Sequence, residues 1–227
     1  AEGTIRKKFG TAIDRNAVVG LDMIPSYADM RSGIFLYAGA ERWPLLGARL
    51  QLLNEFYACP AGVHGGKTDA CVPGVQVGVE KMASMLLPVL CGAVGIGTVG
   101  HLENAVTFSP EQLVIDNEIV GYVRRMLRGF DVDDESLALE VIERVGIGGE
   151  YLTDEHTLEH FRGEMHDSLL FERAPWGHVY TQELCGMQER ARARVTEILE
   201  SDAWTPPLSR EQEQAIDDIV AEAEREL

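Results

Sequence analysis

Basic charge, cysteine and long apolar runs are all scarce in this sequence, and each scarcity excludes a class of protein. Lys and Arg number 20 against 37 Asp and Glu in 227 residues, a formal charge of -17. The deficit is local. Residues 1–100 hold nine Lys/Arg and eight Asp/Glu, whereas residues 101–227 hold eleven and twenty-nine. That second half repels DNA or an anionic bilayer, and the basic run Arg6, Lys7, Lys8 reads as a solvated terminus. No nucleic-acid or membrane partner is expected. The four cysteines, Cys59, Cys71, Cys91 and Cys185, show no C-x-x-C spacing, and no apolar leader opens the chain. The expectation is a cytoplasmic protein with reduced thiols. The longest apolar stretch, residues 82–99, is cut by Pro88 and several glycines. It reads as a buried helix and strand, not as a membrane span.

What is present is a globular composition, 45% hydrophobic and 25% charged, without repeats or low-complexity tracts. A chain of this length buries roughly 70% of its surface on folding, enough for one core without metal or disulfide staples. Residues 17–24, 60–63 and 94–99 read as short strands. Between them, residues 41–57 carry Leu46, Leu50 and Leu53 at helical spacing, and residues 75–90 form a long apolar helix. Strand, helix, strand, helix, strand is a parallel α/β signature. From Ser109 onward the pattern is helical. Ser109-Pro110-Glu111-Gln112 joins a serine cap to proline at the first helical position, and the helix is expected to stop at Gly129. Further helices are expected over 134–145, from the cap Thr153, over 184–199 and over 209–227, the last two separated by Trp204-Thr205-Pro206-Pro207. A closed parallel barrel needs eight strands, so three amount to part of one.

In a parallel α/β barrel the functional loops leave the carboxyl ends of the strands. Here those loops are residues 25–40, 64–73 and 100–109, which hold Asp29, Arg31, His64, Asp69, His101 and Glu103. Asp116 stands out for another reason. It lies inside the apolar arc formed by Ile115, Ile119, Val120, Tyr122, Val123, Met126 and Leu127, and a carboxylate there must be hydrogen-bonded, paired or functional. It is expected to be buried and to accept hydrogen bonds from a neighbouring loop, supporting the Gly100–Glu103 turn. Glu118, at the edge of the arc, is expected to pair with an arginine. His156-Thr157-Leu158-Glu159-His160 fits the H-x-x-E-H pattern of certain zinc peptidases. No third ligand stands out in the sequence, so no metal is assigned. Cys59, His64, Cys71 and Cys91 match no zinc-module spacing.

The run His64-Gly65-Gly66-Lys67-Thr68-Asp69-Ala70, followed by Pro73, Gln76, Gly78, Glu80 and Lys81, resembles the trimethylamine methyltransferase family. So do Gly100-His101-Leu102-Glu103, the segment from Ser109 through Glu111 and Asp116 to Ile119, Leu127-Arg128-Gly129, and Gly148-Gly149-Glu150-Tyr151-Leu152-Thr153 with His156-Thr157. Asp29-Met30-Arg31-Ser32-Gly33 and Gly39-Ala40-Glu41 match more weakly, and the similarity runs in order over about residues 27–227.

The resemblance implies the C-terminal half of a TIM (β/α)8 barrel over residues 1–130, with residues 131–227 as an α-helical extension packing on it. It also implies an enzyme of methylated-amine metabolism, of the kind linked to methanogenesis. Such an enzyme moves a methyl group from a tertiary or betaine-like quaternary amine to the cobalt of a separate corrinoid protein, binding no cofactor itself. His64, Asp69, His101 and Glu103 are then the substrate-binding candidates, with Asp116 behind them and no catalytic residue assigned. Tyr37, Trp43 and Tyr57 are either a cage for the amine or core packing. The sequence departs from the family pattern at Cys71, where a lysine is common, and at Gly74, where an aspartate is common. It contains only the twenty standard residues, which favours the non-pyrrolysine branch. Family members are roughly twice as long. The other reading is therefore a non-catalytic half-barrel, fragment or subunit, that needs a complementary N-terminal half or a second copy of itself to form a site.

Overall fold

The structure, a computed structural model, describes residues 25–173, 186–201 and 208–226. The strand expected at 17–24, the Arg6-Lys7-Lys8 run, Cys185, the first residues of the 184–199 helix and the Trp204–Pro207 linker lie outside them. The described residues combine many helices with small sheets.

Strands β1 (Tyr27–Asp29) and β2 (Ile34–Leu36) form an antiparallel hairpin with Tyr27 opposite Leu36. The sequence reads this stretch as loop, because three-residue strands are too short to show alternation. Helix α1 (Arg42–Gln51) continues into a π-helical turn (Leu52–Phe56) and buries Leu46, Leu50 and Leu53. That face packs on Ala61, Val63 and Ala93, each leucine stabilising the fold by about 1.5–3 kcal/mol.

The expected strands at 60–63 and 94–99 do meet in parallel, but as a single bridge, Val63 to Ile96. Val94 N donates to Ala61 O, Val63 N to Gly95 O and Gly97 N to Val63 O, each at 3.0 Å. Gly62, Gly95 and Gly97 leave few side chains to pack along this pair, which keeps the ladder short. Helix α2 (Val75–Leu90) makes the crossover between the two segments. A second hairpin follows, β3 (His101–Leu102) with β4 (Thr107–Phe108), around a 3-10 turn over Glu103–Ala105.

Helix α3 (Pro110–Arg128) starts as its sequence dictates, with the Ser109 hydroxyl accepting from Gln112 N at 3.1 Å, and it stops at Gly129. Met85 on α2 packs with Ile119 and Val123 on α3. The helix expected over 134–145 is two, α4 (Asp134–Leu137) and α5 (Leu139–Val145), broken at Ala138, which is left-handed. Helix α6 (Glu155–Glu164) is capped by the Asp154 carboxylate and not by Thr153. Helix α7 (Met187–Glu200) packs along α3, and Arg190 donates to the carbonyl of buried Leu170. Helix α8 (Arg210–Glu226) is exposed over its described side chains. Among the described residues, no helix is long and apolar enough to cross a membrane.

Candidate functional site

Because segments 60–63 and 94–97 run parallel, the loops that follow them, 64–73 and 98–109, leave the same edge. The helices after each loop, α2 and α3, reach back to hold them. Lys81 of α2 and Asp116 of α3 form an ion pair of 2.6 Å with both side chains fully buried. Lys81 Nζ also donates to Gly66 O at 2.8 Å. The Asp116 carboxylate accepts from Gly100 N at 2.6 Å and from Gln112 Nε2 at 2.7 Å. One buried charge pair thereby joins the backbones of both loops. Burial pushes the Asp116 carboxyl above its usual range and the Lys81 ammonium below its own, and in each case the partner's charge opposes that push. Three donors aimed at one carboxylate fit its ionised form, which only accepts.

Glycine is required on both sides of this tie. A side chain at Gly65 would meet Ile96 Cγ2 at 2.5 Å and the Ser84 carbonyl at 2.6 Å, and Gly100 adopts φ +77° with Phe108 Cε2 at 2.7 Å from any added Cβ. Gly66 N donates to Ser84 Oγ at 3.0 Å, seating the loop directly on α2.

The loops are also joined to one another. Glu103 N donates to Ala70 O at 2.9 Å and Asn104 N to Thr68 O at 2.8 Å. Lys67 Nζ donates to Asn104 Oδ1 at 3.3 Å. These bonds hold Glu103, Asn104 and Ala105 at successive positive φ of 48°, 56° and 75°, a left-handed turn that costs L-residues roughly 1–2 kcal/mol each. Glu80 of α2 fixes the other loop, accepting from the Thr68 hydroxyl at 2.6 Å and Asp69 N at 2.9 Å.

The four candidate ligands fall into different settings. Both oxygens of Asp69 are taken by backbone, accepting from Tyr37 N at 3.0 Å and Ala38 N at 2.9 Å, so this carboxylate clamps the end of the first hairpin to the loop. His64 Nδ1 lies 3.3 Å from the Thr98 hydroxyl. His101 stacks edge-on against Phe108 at 5.7 Å, and its buried Nδ1 has no hydrogen-bond partner among the described residues. Glu103 is exposed, and the described donor to its carboxylate is the Thr107 hydroxyl at 3.2 Å. No hydrogen bond among the described residues links these four side chains to one another.

Asp29 holds Arg31 at 3.0 Å within the exposed β1–β2 turn, and the arginine keeps its carboxyl below the usual range. Tyr37 already faces a protein cation, with Lys67 Nζ 4.4 Å from its ring centre. Burial, with Arg42 nearby, pushes the Lys67 ammonium down. Trp43 and Tyr57 pack against the leucine cluster of α1. Arg42 is buried, donating to Pro25 O at 2.9 Å and to Tyr37 O, and burial lowers its pKa. Glu118 is buried, and its carboxylate accepts from the Ser168 hydroxyl instead of an arginine. Ser168 Oγ in turn accepts Leu170 N and Phe171 N, so this acid orders a loop. Cys59 is buried, Cys91 half-buried and Cys71 exposed, all with free thiols.

Residues 60–128 thus form a parallel β/α unit: two parallel segments, the helices after them, and loops at one edge tied by charges that the helices supply. Comparison with known proteins gives this class a family. The model of the trimethylamine methyltransferase family matches residues 1–227, and the chain belongs to that family. It is 35% identical over 168 residues to trimethylamine methyltransferase MttB1 of Methanosarcina mazei, covering 74% of this chain and 34% of the relative. It is 31% identical over 181 residues to glycine betaine methyltransferase of Desulfitobacterium hafniense, covering 79% and 37%. A trimethylamine methyltransferase from another strain of Desulfitobacterium hafniense is 31% identical over 189 residues, covering 83% and 38%. The chain matches little more than a third of the length of these relatives.

Proposed function

We propose that this chain forms part of an amine methyltransferase, moving a methyl group from a tertiary or betaine-like quaternary amine to the cobalt of a separate corrinoid protein. In this reading segments 60–63 and 94–97 with α2 belong to the C-terminal half of a (β/α)8 barrel, and residues from 131 onward are a helical extension. The observation that carries it is the Lys81–Asp116 pair holding both edge loops from behind, the arrangement needed to keep a small ligand at a fixed distance from an incoming partner. The relatives' activities on trimethylamine and glycine betaine support the amine as substrate.

The partner's corrinoid would supply the nucleophilic cobalt. This chain's residues bind and orient. Glu103, exposed on the strained turn, supplies negative charge to the amine's cation. His101 on the same loop and His64 on the neighbouring one are the further binding candidates, and Asp69 positions the loop by its backbone clamp. The test is absorbance detection of methyl transfer from glycine betaine or trimethylamine to a reduced corrinoid carrier. The chain is assayed alone and with a polypeptide matching the remaining length of its relatives. Transfer that Glu103→Gln weakens supports the reading, and no transfer from either amine in either setting overturns it.

A second reading has its own support. Val75 and Val79 on α2, Leu90 at its end and Val94 beyond it are between 63% and 86% exposed, an apolar surface of the kind a further chain covers. Under that reading this chain alone is a non-catalytic half, complemented by an N-terminal half or by a second copy. Transfer in the mixture but not with the chain alone distinguishes the two.

A further inference from the structure

The loop network makes no use of a cluster that forms in the helical part of the chain. His156 and His160 stand one turn apart on α6, with ring centres 4.4 Å apart. Glu135 of α4 reaches them from the other side: its Oε1 lies 3.0 Å from His160 Nε2 and 3.7 Å from His156 Nε2. One ligand atom from each residue falls within 4.8 Å of the others. Among the described residues this is the group of His, Cys, Asp and Glu donors that converges closely enough to hold a metal ion.

The geometry points to a three-donor site for a divalent metal of the zinc class, formed by Glu135, His156 and His160. Zinc sits about 2.0–2.1 Å from imidazole nitrogen and carboxylate oxygen, which puts tetrahedral neighbours about 3.3 Å apart. The two observed separations, 3.0 and 3.7 Å, straddle that value. Closure therefore takes side-chain adjustment, with the two imidazoles, whose ligand atoms lie within 4.8 Å of each other, drawing together and His156 Nε2 giving up its 3.0 Å contact to the Glu135 carbonyl. The helices that carry the donors are anchored. Asp133 and Ser136 close a capping box on α4, Arg144 pairs with the Asp154 cap of α6 at 2.9 Å, and Arg125 and Arg128 of α3 hold Glu164 at the other end of α6. The pocket between them, about 390 Å³, is lined also by Asp131, Asp133 and Glu164. Residues 131–164 carry eleven Asp/Glu against two Lys/Arg, a field that draws cations. Two imidazoles select zinc, cobalt, nickel or copper over magnesium and calcium. Both histidines and the glutamate keep some solvent exposure, which leaves room for a fourth, exchangeable ligand. Glu159, the acid inside the H-x-x-E-H pattern, is not one of the three.

Tag-free protein, stripped with chelator, would be titrated with Co2+ and followed by visible absorption, then with Zn2+ in competition. The expected result is one equivalent of Co2+ giving a four-coordinate spectrum that Zn2+ abolishes and excess Mg2+ leaves unchanged. His156→Gln and His160→Gln should each weaken binding at least about tenfold, Glu135→Gln by about tenfold or less, and Glu159→Gln not at all. Circular dichroism of each variant checks that α6 persists. Absence of stoichiometric binding by the folded parent overturns the assignment. So does binding that survives the double His156→Gln/His160→Gln substitution, or a loss confined to Glu159→Gln.

Discussion

Replacing Asp116 with alanine removes the acceptor for three donors at once: Lys81 Nζ, Gly100 N and Gln112 Nε2. Neither charge of the pair is accessible to water, so Lys81 is left as a buried cation with only the Gly66 carbonyl. Breaking a buried ion pair by removing one partner costs about 3–5 kcal/mol, and Lys81→Met should cost a similar amount by stranding the carboxylate. The double variant Lys81→Met/Asp116→Leu strands no charge, and apolar replacement of such pairs is often neutral or stabilising by about 1–4 kcal/mol. The two single losses should therefore be strongly non-additive. Urea unfolding of the four proteins gives the coupling energy directly. If Asp116→Ala unfolds within about 0.5 kcal/mol of the parent, the range of an inconsequential surface change, or if the single losses simply add, the pair does not bind the loops as argued.

Gly65→Ala should destabilise by about 1–3 kcal/mol through overpacking, because its Cβ meets the Ser84 carbonyl at 2.6 Å; the shift in thermal midpoint measures it. Asp69→Asn should cost about 1–3 kcal/mol, since an amide offers one oxygen to the two backbone donors of Tyr37 and Ala38, and faster hydrogen exchange at those two amides is the specific readout. Hydrogen bonds from Ser136 hold the Asp133 carboxyl below its ordinary 3.8. The stability this cap gives α4 is thus present above pH 3.8 and lost as pH falls through the lower folded value. Following the Ser136 amide resonance against pH should show a midpoint below 3.8, and a midpoint at or above it contradicts the cap.

Features whose signals are local were legible in the sequence. Ser109, Pro110 and Gln112 define the start of α3 by contacts within four residues, and Leu46, Leu50 and Leu53 define the buried side of α1. Asp116 was legible because a charge among apolar neighbours needs a partner. Lys81 carried the same signal, lying between Val77 and Met85, both buried. The sequence presented it only as part of a family match, because nothing in it says that α2 and α3 lie side by side. Long-range contacts account for most of the rest. Glu135 stands 21 residues before His156, and Glu118 takes its hydrogen bond from Ser168, 50 residues on. The two hairpins escape because two- and three-residue strands show no period, and the break at Ala138 because alanine is an ordinary helix residue.

The claim that the Lys81–Asp116 pair positions the amine-binding loops is tested most directly by equilibrium binding of glycine betaine to the Lys81→Met/Asp116→Leu variant beside the parent. That variant keeps a packed interior but loses the bonds to Gly66 O and Gly100 N. The account predicts cooperative unfolding like the parent's with amine affinity lower by about tenfold or more, as expected when loops are released from a fixed geometry. A folded variant that binds the amine as tightly as the parent, or a parent that binds none in the presence of its complementary half, would contradict it.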